Sequence, residues 1–452
     1  MSVSAMPTLE SSATQTARPT LEPRGLSSEL IPIDSLVQPQ RSDAKSAAII
    51  AEWSSIAIND PAVLLEMHPD LVLGHVSSDS TSGGNVSSDD AAARRTAGQL
   101  WRCTSNDALD DSAALALLLD KTVSLPIVRG LKRRLTLRGL RLVGSRLAGG
   151  IPAGHVPADV ARAAGDAANS ETSASSNVGA QQKPTTVLDE FVGSVERLLS
   201  KSGGPSCLLM EDLGVDSPLW SAFEGRSGVR VVTLAEPQTR WVLRFPESAE
   251  AYWKRFSSKT RYNFRRQKRL LEHEWEVIER EDQVERFLAD AAVVSANSWQ
   301  GKRIGLRVST EGSLADQCRQ LARLGALRCY LLKSKGEPVA FAVGTQWNGR
   351  FSLEEIGYDT RFAEFSPGTV LLLNMLDDMF ERNRPEVLDF GFGDGAYKQL
   401  FGTDSTTSGT RLIVSRRLGP AFKLAVNRFG AWIENQARSV LKSTGLTTKL
   451  RQ

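Results

Sequence analysis

The chain has 452 residues, of which 41% are hydrophobic and 24% are charged, and its formal net charge is +3. This length exceeds one ordinary hydrophobic core, so two domains are expected. The small net charge does not by itself indicate a nucleic-acid partner, and four widely spaced cysteines with four histidines indicate neither a disulfide framework nor a metal site.

The first half of the chain alternates low-complexity and structured segments. Residues 1–45 are rich in Ser, Thr, Pro and Ala and are expected to form a disordered arm. Residues 46–244 are predicted to form a first domain with low-complexity insertions at 77–96 and 161–186. No segment has a signal peptide's apolar core or the ~20 apolar residues of a membrane span, which predicts a cytoplasmic protein.

Periodicity within this first domain predicts mixed helices and strands. The basic and apolar alternation at 131–147 predicts paired strands with one wet face. The other predicted elements are helices at 44–57 and 187–200, a strand at 205–212, a helical turn at 218–224 and a hairpin of 229–234 with 240–245.

Residues 245–416 give clearer signals, and 417–452 form a separate amphipathic helix and tail. Three strands at 326–334, 337–347 and 350–358 are joined by Lys335-Gly336 and by Asn348-Gly349, a strong hairpin signal. Helices are predicted at 249–272, 283–296, 313–324, 368–381 and near Ala396, and strands at 387–390 and 410–415.

This order of helices, antiparallel meander and strand-helix-strand crossover resembles the GNAT N-acyltransferase fold. Residues from about 245 to 402 resemble the acetyltransferase domain of the CelD-like, or BioF2-like, family of cellulose or exopolysaccharide biosynthesis. The segments that carry the resemblance are KTRYNFRR at 259–266, Ser298-Trp299, Gly357-Tyr358-Asp359, Ser366-Pro367-Gly368, and DFGFGD at 389–394 with Tyr397-Lys398.

The resemblance implies an α+β protein with tandem GNAT domains, whose mixed, mostly antiparallel sheets are flanked by helices. The first domain would be a degenerate copy, as in FemAB-type transferases. The implied donor is acetyl-CoA or another acyl-CoA, with no metal, and the implied acceptor is an amino sugar or another polar amine.

The start of the helix after the third meander strand is the predicted site for the donor's pyrophosphate. The first backbone N–H groups of a helix lack internal partners and lie at the positive end of its dipole. The predicted contacts are Ser366, Gly368, Thr369 and Val370; the alternative is an ordinary capped helix.

The strand end at 389–398 is predicted to supply acceptor contacts and the acid. Asp389 and Lys398 are assigned to the acceptor, Asp394 to its orientation, and Tyr397 to protonation of the leaving thiolate. The alternative is a strand-end turn with Tyr397 in the core and Lys398 solvated. Where relatives often carry an arginine and a glutamate, this chain has Phe392 and Gly395-Ala396, which leaves a non-catalytic GNAT-fold binding protein as another reading.

The candidate base is one of two adjacent glutamates on the preceding strand. Because side chains alternate along a strand, only one of Glu354 and Glu355 can face the cleft. Glu355 is favoured because it shares a side with Gly357 and Asp359. A solvent-facing glutamate is the alternative.

A basic segment from Trp253 to Leu271 contains eight Lys or Arg residues and no acid. Its apolar spacing predicts one docked face and one cationic face, with Arg261 and Asn263 as contacts for an anionic acceptor, such as a nucleotide-linked or lipid-linked sugar. A solvated face is the plain alternative. Binding of charged tRNA would instead indicate a FemAB-like aminoacyl transferase.

Two further segments have open assignments. Trp299 is predicted to form a wall for the acceptor, or else to pack in the interior. The C-terminal stripe is predicted to dock on the domain rather than lie on a membrane surface. Its members are Phe422, Ala425, Val426, Phe429, Ile433 and Val440.

Overall fold

The computed structural model describes residues 26–37, 44–59, 98–105, 113–127, 134–143, 148–149, 186–303 and 308–443. Its described strands belong to one 14-stranded sheet, ordered β1-β2-β3-β4-β6-β14-β8-β13-β12-β11-β10-β9, with β5 paired to β3 and β7 paired to β14. The first eight strands are β1 (Leu26–Pro32), β2 (Gly98–Ser105), β3 (Ala113–Pro126), β4 (Arg134–Leu142), β5 (Ala148–Gly149), β6 (Cys207–Gly214), β7 (Val229–Thr233) and β8 (Gln238–Arg244). The others are β9 (Glu274–Ile278), β10 (Cys329–Ser334), β11 (Glu337–Trp347), β12 (Arg350–Tyr358), β13 (Val387–Phe392) and β14 (Asp404–Ser415).

Helices flank this sheet, and the chain is of the α+β class, as expected. They are α1 (Ile33–Val37), α2 (Ala44–Asn59), α3 (Val187–Ser200), α4 (Pro218–Ser221), α5 (Ala249–Lys254), α6 (Ser258–Leu270), α7 (Glu281–Asn297), α8 (Trp299–Arg303), α9 (Ser313–Arg323), α10 (Pro367–Glu381), α11 (Ala396–Phe401) and α12 (Leu418–Ser443). A 3-10 helix over Thr360–Phe365 connects β12 to α10.

The two halves of the chain repeat one topology. Each has a strand, then helices (α1 and α2 in the first half, α7 to α9 in the second), a three-strand antiparallel meander, and a helix leading to a strand that pairs parallel with the last meander strand. These parallel pairs are β4 with β6 and β12 with β13. The last strand of each half, β8 in the first and β14 in the second, pairs with the other half. Strand β14 pairs with β6 of the first half, and β8 pairs with β13 of the second.

Hydrophobic clusters pack the helices of both halves against the sheet. The central one lies between the sheet and α10, where Phe264 and Phe351 meet buried residues of that helix such as Val370 and Leu376. A second lies on the opposite face, under α7 and α9. A third, in the first half, packs α3 against β2, β3 and β6.

Several sequence predictions need correction. The expected disordered arm includes β1 and α1, since β1 pairs with β2 and Ile33 is fully buried beneath the sheet; the rest of 1–45 lies outside the described residues, except Ala44 and Lys45 in α2. The insertion at 77–96 also lies outside them, and of 161–186 the structure describes Thr186, whose side chain caps α3.

The predicted hairpin at 229–245 is wrong, because β7 and β8 lie one after the other along the same edge of β14. The alternating segment at 131–147 contributes β4 rather than two paired strands. The basic helix is divided into α5 and α6 because the Ser257 side chain accepts a hydrogen bond from the Thr260 amide and starts a new helix.

Candidate active site

The candidate site is a wedge between β12 and β13. The two strands pair in parallel over Arg350–Ser352 and Val387–Asp389, beyond which β12 continues paired to β11. β12 bulges at Glu354, and β13 bulges before Phe392 against β8. The described pairing of β12 with β13 ends at Ser352 and Asp389, so the two strands diverge from there and form the wedge.

Two glycines shape the far wall of the wedge. Gly391 and Gly393 have φ of +70° and +94°, a left-handed conformation that L side chains rarely adopt. The Gly391 amide donates to Asp389 Oδ1 at 2.8 Å, and the Gly393 amide donates to the Thr239 carbonyl at 3.3 Å. The glycine spacing therefore turns β13 away from β12.

Glu355 and Tyr397 interact across this wedge. Glu355 is half-buried, and burial raises the pKa of its carboxyl. Burial also raises the pKa of Tyr397 to about 12, with a further contribution from the negative charge of Glu355. The structure thus brings together the predicted base and acid, with a poised carboxyl and a phenol that stays protonated at neutral pH.

Local packing fixes the orientation of both groups. The bulge leaves Glu354 exposed and directs the next residue, Glu355, inward. The Tyr397 ring packs edge-on against Phe390, with 6.1 Å between centroids. Tyr397 is therefore partly in the core, as the alternative expected, yet it lies close enough to Glu355 for the charge of that carboxylate to raise its pKa.

Asp394 lies in the turn between β13 and α11 and is exposed. Its Oδ1 accepts hydrogen bonds from Gln399 Nε2 at 2.5 Å and from Trp241 Nε1 at 3.0 Å, and these bonds lower the pKa of the carboxyl. Asp394 therefore stays ionised, and it links the start of α11 to β8.

Asp389 lies beneath the site instead of lining it. It is 1% exposed, and Arg240 Nε lies 2.8 and 2.7 Å from its two carboxylate oxygens. Arg350 also pairs with it. With its oxygens occupied, Asp389 stabilises the strand end and does not have the placement of an acceptor ligand.

Lys398 has a similar structural position. It is 9% exposed and donates from Nζ to the Phe392 carbonyl, which ties α11 to the end of β13. Burial lowers the pKa of Lys398, and the charge of Asp389 partly opposes that shift. This placement disagrees with the predicted acceptor contact of Lys398. It also disagrees with the alternative, in which the Lys398 side chain lies in solvent.

The helix start at 366–370 offers fewer free amides than predicted. The amides of Thr369 and Val370 donate to the Ser366 carbonyl at 3.0 and 3.1 Å, and Pro367 has no N–H. Val370 is fully buried in the core. The amide of Gly368 makes no hydrogen bond within the described residues, so it is the group here that is open to a phosphate oxygen.

Gly368 also has a packing role. A Cβ at this position would lie 3.2 Å from Cδ1 of Tyr358, at the end of β12. Ser366, which precedes the helix, has φ of +54° and makes no side-chain cap bond. The close approach of helix and strand thus explains the glycine even without a ligand.

A cavity of about 270 Å³ lies between α6 and α10. Its lining combines apolar and cationic groups, namely Trp253, Arg261, Phe264, Arg265, Lys268, Leu373 and Asp377. Lys268 Nζ is held 2.8 Å from Asp377 Oδ2. Arg261 is therefore placed at a pocket, whereas Asn263 is exposed and does not line it.

Trp299 lies near the far end of β12. It is 52% exposed, so it does not take the packed position that was the alternative. Its short helix, α8, is tied to the 3-10 helix by Lys302 Nζ, which donates to Thr360 Oγ1 at 2.8 Å. The exposed position of the Trp299 indole is compatible with the predicted contact to the acceptor.

Sequence reasoning missed two sets of residues, those that hold the strands together beneath the wedge and those that hold the end of α11. Arg240 joins β8 to Asp389 and Asp212, and so connects the two halves of the chain beneath the wedge. Tyr252 donates its hydroxyl to the Phe401 carbonyl at 2.8 Å, and Arg255 donates to the same carbonyl at 3.1 Å. A cation at a helix C-terminus is favourable, and Arg255 was visible in the sequence only as one of eight basic residues.

The described residues contain neither a cluster of metal ligands nor a helix that could span a membrane. No group of three or more His, Cys, Asp or Glu side chains in the described part of the chain is arranged to hold a metal. None of the helices in that part is long and apolar enough to cross a membrane.

Residues 258–399 match the model of the acetyltransferase (GNAT) domain family, and the fold of this part of the chain is the GNAT fold. Similar solved structures include FemX, with 12% identity, 83% of this chain and 98% of that chain covered, and a TM-score of 0.48. A tandem GNAT protein from the clavulanic acid biosynthesis pathway has 11% identity, coverage of 86% and 98%, and a TM-score of 0.37. L-PGS from Bacillus licheniformis has 16% identity, coverage of 69% and 85%, and a TM-score of 0.39. No curated protein matches the chain. At these scores the structural similarities assign no function.

Proposed function

We propose that the chain is an acyl-CoA-dependent N-acyltransferase of the CelD-like, or BioF2-like, type, acting on an amino sugar or a similar polar amine in bacterial envelope or exopolysaccharide biosynthesis. The supporting observation is that Glu355 lies close enough to Tyr397 for its charge to raise the pKa of the phenol, within the part of the chain that matches the GNAT domain family. Glu355 would remove a proton from the attacking amine, and Tyr397 would protonate the departing sulfur. Asp394 and Trp299 would orient the acceptor.

The described residues fit the donor in part. The wedge where β12 diverges from β13 suits an extended pantetheine arm, and the Gly368 amide suits one phosphate oxygen. When bound, the thioester supplies the electrophilic carbonyl carbon. Ser366 and Thr369 belong to the same turn, and Arg261 would contribute positive charge from α6.

The direct test is calorimetric titration with acetyl-CoA and longer acyl-CoAs, followed by a thiol-release assay with amino sugars. Tyr397→Phe should lower kcat about 10²-fold to 10⁴-fold while donor affinity is kept. Tyr262→Phe is the matched control, because Tyr262 is 55% exposed on α6. Absence of binding across the donors would contradict the proposal, and binding with no turnover for any amine would favour a non-catalytic binding protein.

One observation favours a second candidate, an aminoacyl-tRNA-dependent transferase of the FemAB type. The turn at 366–370 has a single open amide within the described residues, whereas α6 exposes Lys259, Arg265, Arg266 and Arg269. Such a cationic face suits a polyanion better than one diphosphate. Salt-dependent binding of charged tRNA, with no heat from CoA, would establish this candidate over the first.

A further inference from the structure

Helix α12 presents an apolar face to solvent. Leu418 is 91% exposed, Phe422 70%, Phe429 61% and Trp432 56%. The spacing of four, seven and three residues places them on one side of a helix. This is the stripe that the sequence predicted would dock on the domain, and that prediction is wrong for every member whose side chain is described, except the half-buried Val426.

The opposite side of α12 makes the contacts with the protein. Leu424 is 1% exposed and packs on β3, β4, β6 and β14. Lys423 Nζ donates to the Thr136 carbonyl at 2.9 Å, and Asn427 Nδ2 donates to the Pro126 carbonyl at 2.6 Å. The helix is therefore held with its aromatic face pointing away from the sheet.

The apolar face is already organised within one chain. The rings of Phe429 and Trp432 stack at 5.8 Å between centroids with an interplanar angle of 18°. Ile433, 42% exposed, extends the same face. Isolated exposed apolar side chains need no explanation, but a continuous row of five along one helix marks an interaction surface.

The charge of this segment identifies its partner. From Leu418 to Gln452 there are six Lys or Arg residues and one acidic residue, Glu434. Exposed Phe, Trp and Leu on a helix that also carries several Lys and Arg residues are typical of a helix that lies in the interface of an anionic bilayer. A second copy docked symmetrically would bring the same cations together, which is unfavourable.

We propose that α12 docks the protein on the surface of a membrane containing anionic lipids. The exposed apolar row inserts among the acyl chains at the headgroup boundary, and exposed basic residues of α12 such as Arg428 interact with the lipid phosphates. Since Lys423, Leu424 and Asn427 hold the other side of the helix, docking requires no rearrangement of the sheet.

The test is co-sedimentation of the full chain with vesicles of phosphatidylcholine alone and of phosphatidylcholine with phosphatidylglycerol. We expect binding to the anionic vesicles that weakens with salt, because screening reduces the attraction. The affinity of the double variant F429S/W432S for these vesicles should fall by about tenfold or by a larger factor, because two aromatic anchors are lost. Tyr262→Ser removes an equally exposed aromatic ring elsewhere and should bind as wild type does.

Thermal melting of each variant confirms that the fold is kept, as expected for exposed positions. Failure of the wild type to bind anionic vesicles would overturn the proposal, as would binding that the double variant retains in full. Concentration-dependent self-association of the wild type without vesicle binding, abolished in the double variant, would overturn it in favour of a second copy of the chain.

Discussion

Replacement of Asp389 by Asn tests whether this carboxylate supports the site or binds a ligand in it. Arg240 reaches its oxygens with Nε at 2.8 and 2.7 Å and with Nη2 at 2.6 Å, and the Gly391 amide adds a bond at 2.8 Å. Removal of one partner of a fully buried ion pair costs about 3–5 kcal/mol. Arg240 is 16% exposed and keeps Asp212 as a partner, and Arg350 is 30% exposed, so the expected loss falls to about 2–3 kcal/mol.

The loss is measured as the shift of the urea unfolding midpoint, followed by tryptophan fluorescence. The control is Asp404→Asn, whose partner Arg244 lies 3.6 Å away in a pair that is 66% and 50% exposed; it should lose less than about 1 kcal/mol. The effect should also depend on pH. Burial opposes ionisation of Asp389, but the Arg240 hydrogen bonds outweigh it and hold the pKa below its usual range.

The carboxylate therefore contributes stability above its unfolded-state pKa, and that contribution is lost as pH falls through the lower folded-state pKa. The difference between the wild type and the variant should shrink in acid. A stability loss no larger than that of the control, combined with a raised KM for the acceptor, would refute the structural role and restore Asp389 to the acceptor site.

Three further outcomes are expected. Glu355→Gln should abolish the rise of kcat with pH on the acid side, and an unchanged pH profile would show that Glu355 is not the base. Because burial raises the folded-state pKa of Glu355, this variant should also be more stable than the wild type above that pKa. Gly391→Ala should cost about 1–2 kcal/mol, since Gly391 has φ of +70°, whereas Gly214→Ala, at a position with open space and no positive φ, should be close to neutral in the same urea titration. Leu424→Ala should cost about 2–5 kcal/mol and expose α12 to limited proteolysis, while Phe422→Ala, at a 70% exposed position, should do neither.

Local signals predicted the second half of the chain well. The Asn348-Gly349 turn has positive φ at both residues, as its hairpin signal requires, and the meander strands β11 and β12 have the predicted bounds. Helix α10 begins within one residue of its predicted start. These features depend on residues close together in sequence, so periodicity and turn chemistry were sufficient.

The site depends on distant pairings that no local pattern encodes. Arg240 and Asp389 are 149 residues apart; the sequence placed Arg240 only in a predicted strand and assigned Asp389 to the acceptor. The amides of Thr369 and Val370 bond to the Ser366 carbonyl because Ser366 is the N-cap residue, whose carbonyl accepts the first bonds of the helix. The C-terminal stripe had the right period, but the period did not say which side of the helix meets the sheet.

The exchange of β8 and β14 also bears on how the chain is made. On a ribosome the first half emerges without the strand that completes it, because β6 must wait for Asp404–Ser415 to leave the exit tunnel. Cleavage after residue 244 would give two fragments. The first would contain β8, which pairs with β13 of the second, and the second would contain β14, which pairs with β6 of the first. Neither should be stable when expressed separately, whereas the two produced in the same cell should reassemble into one sheet.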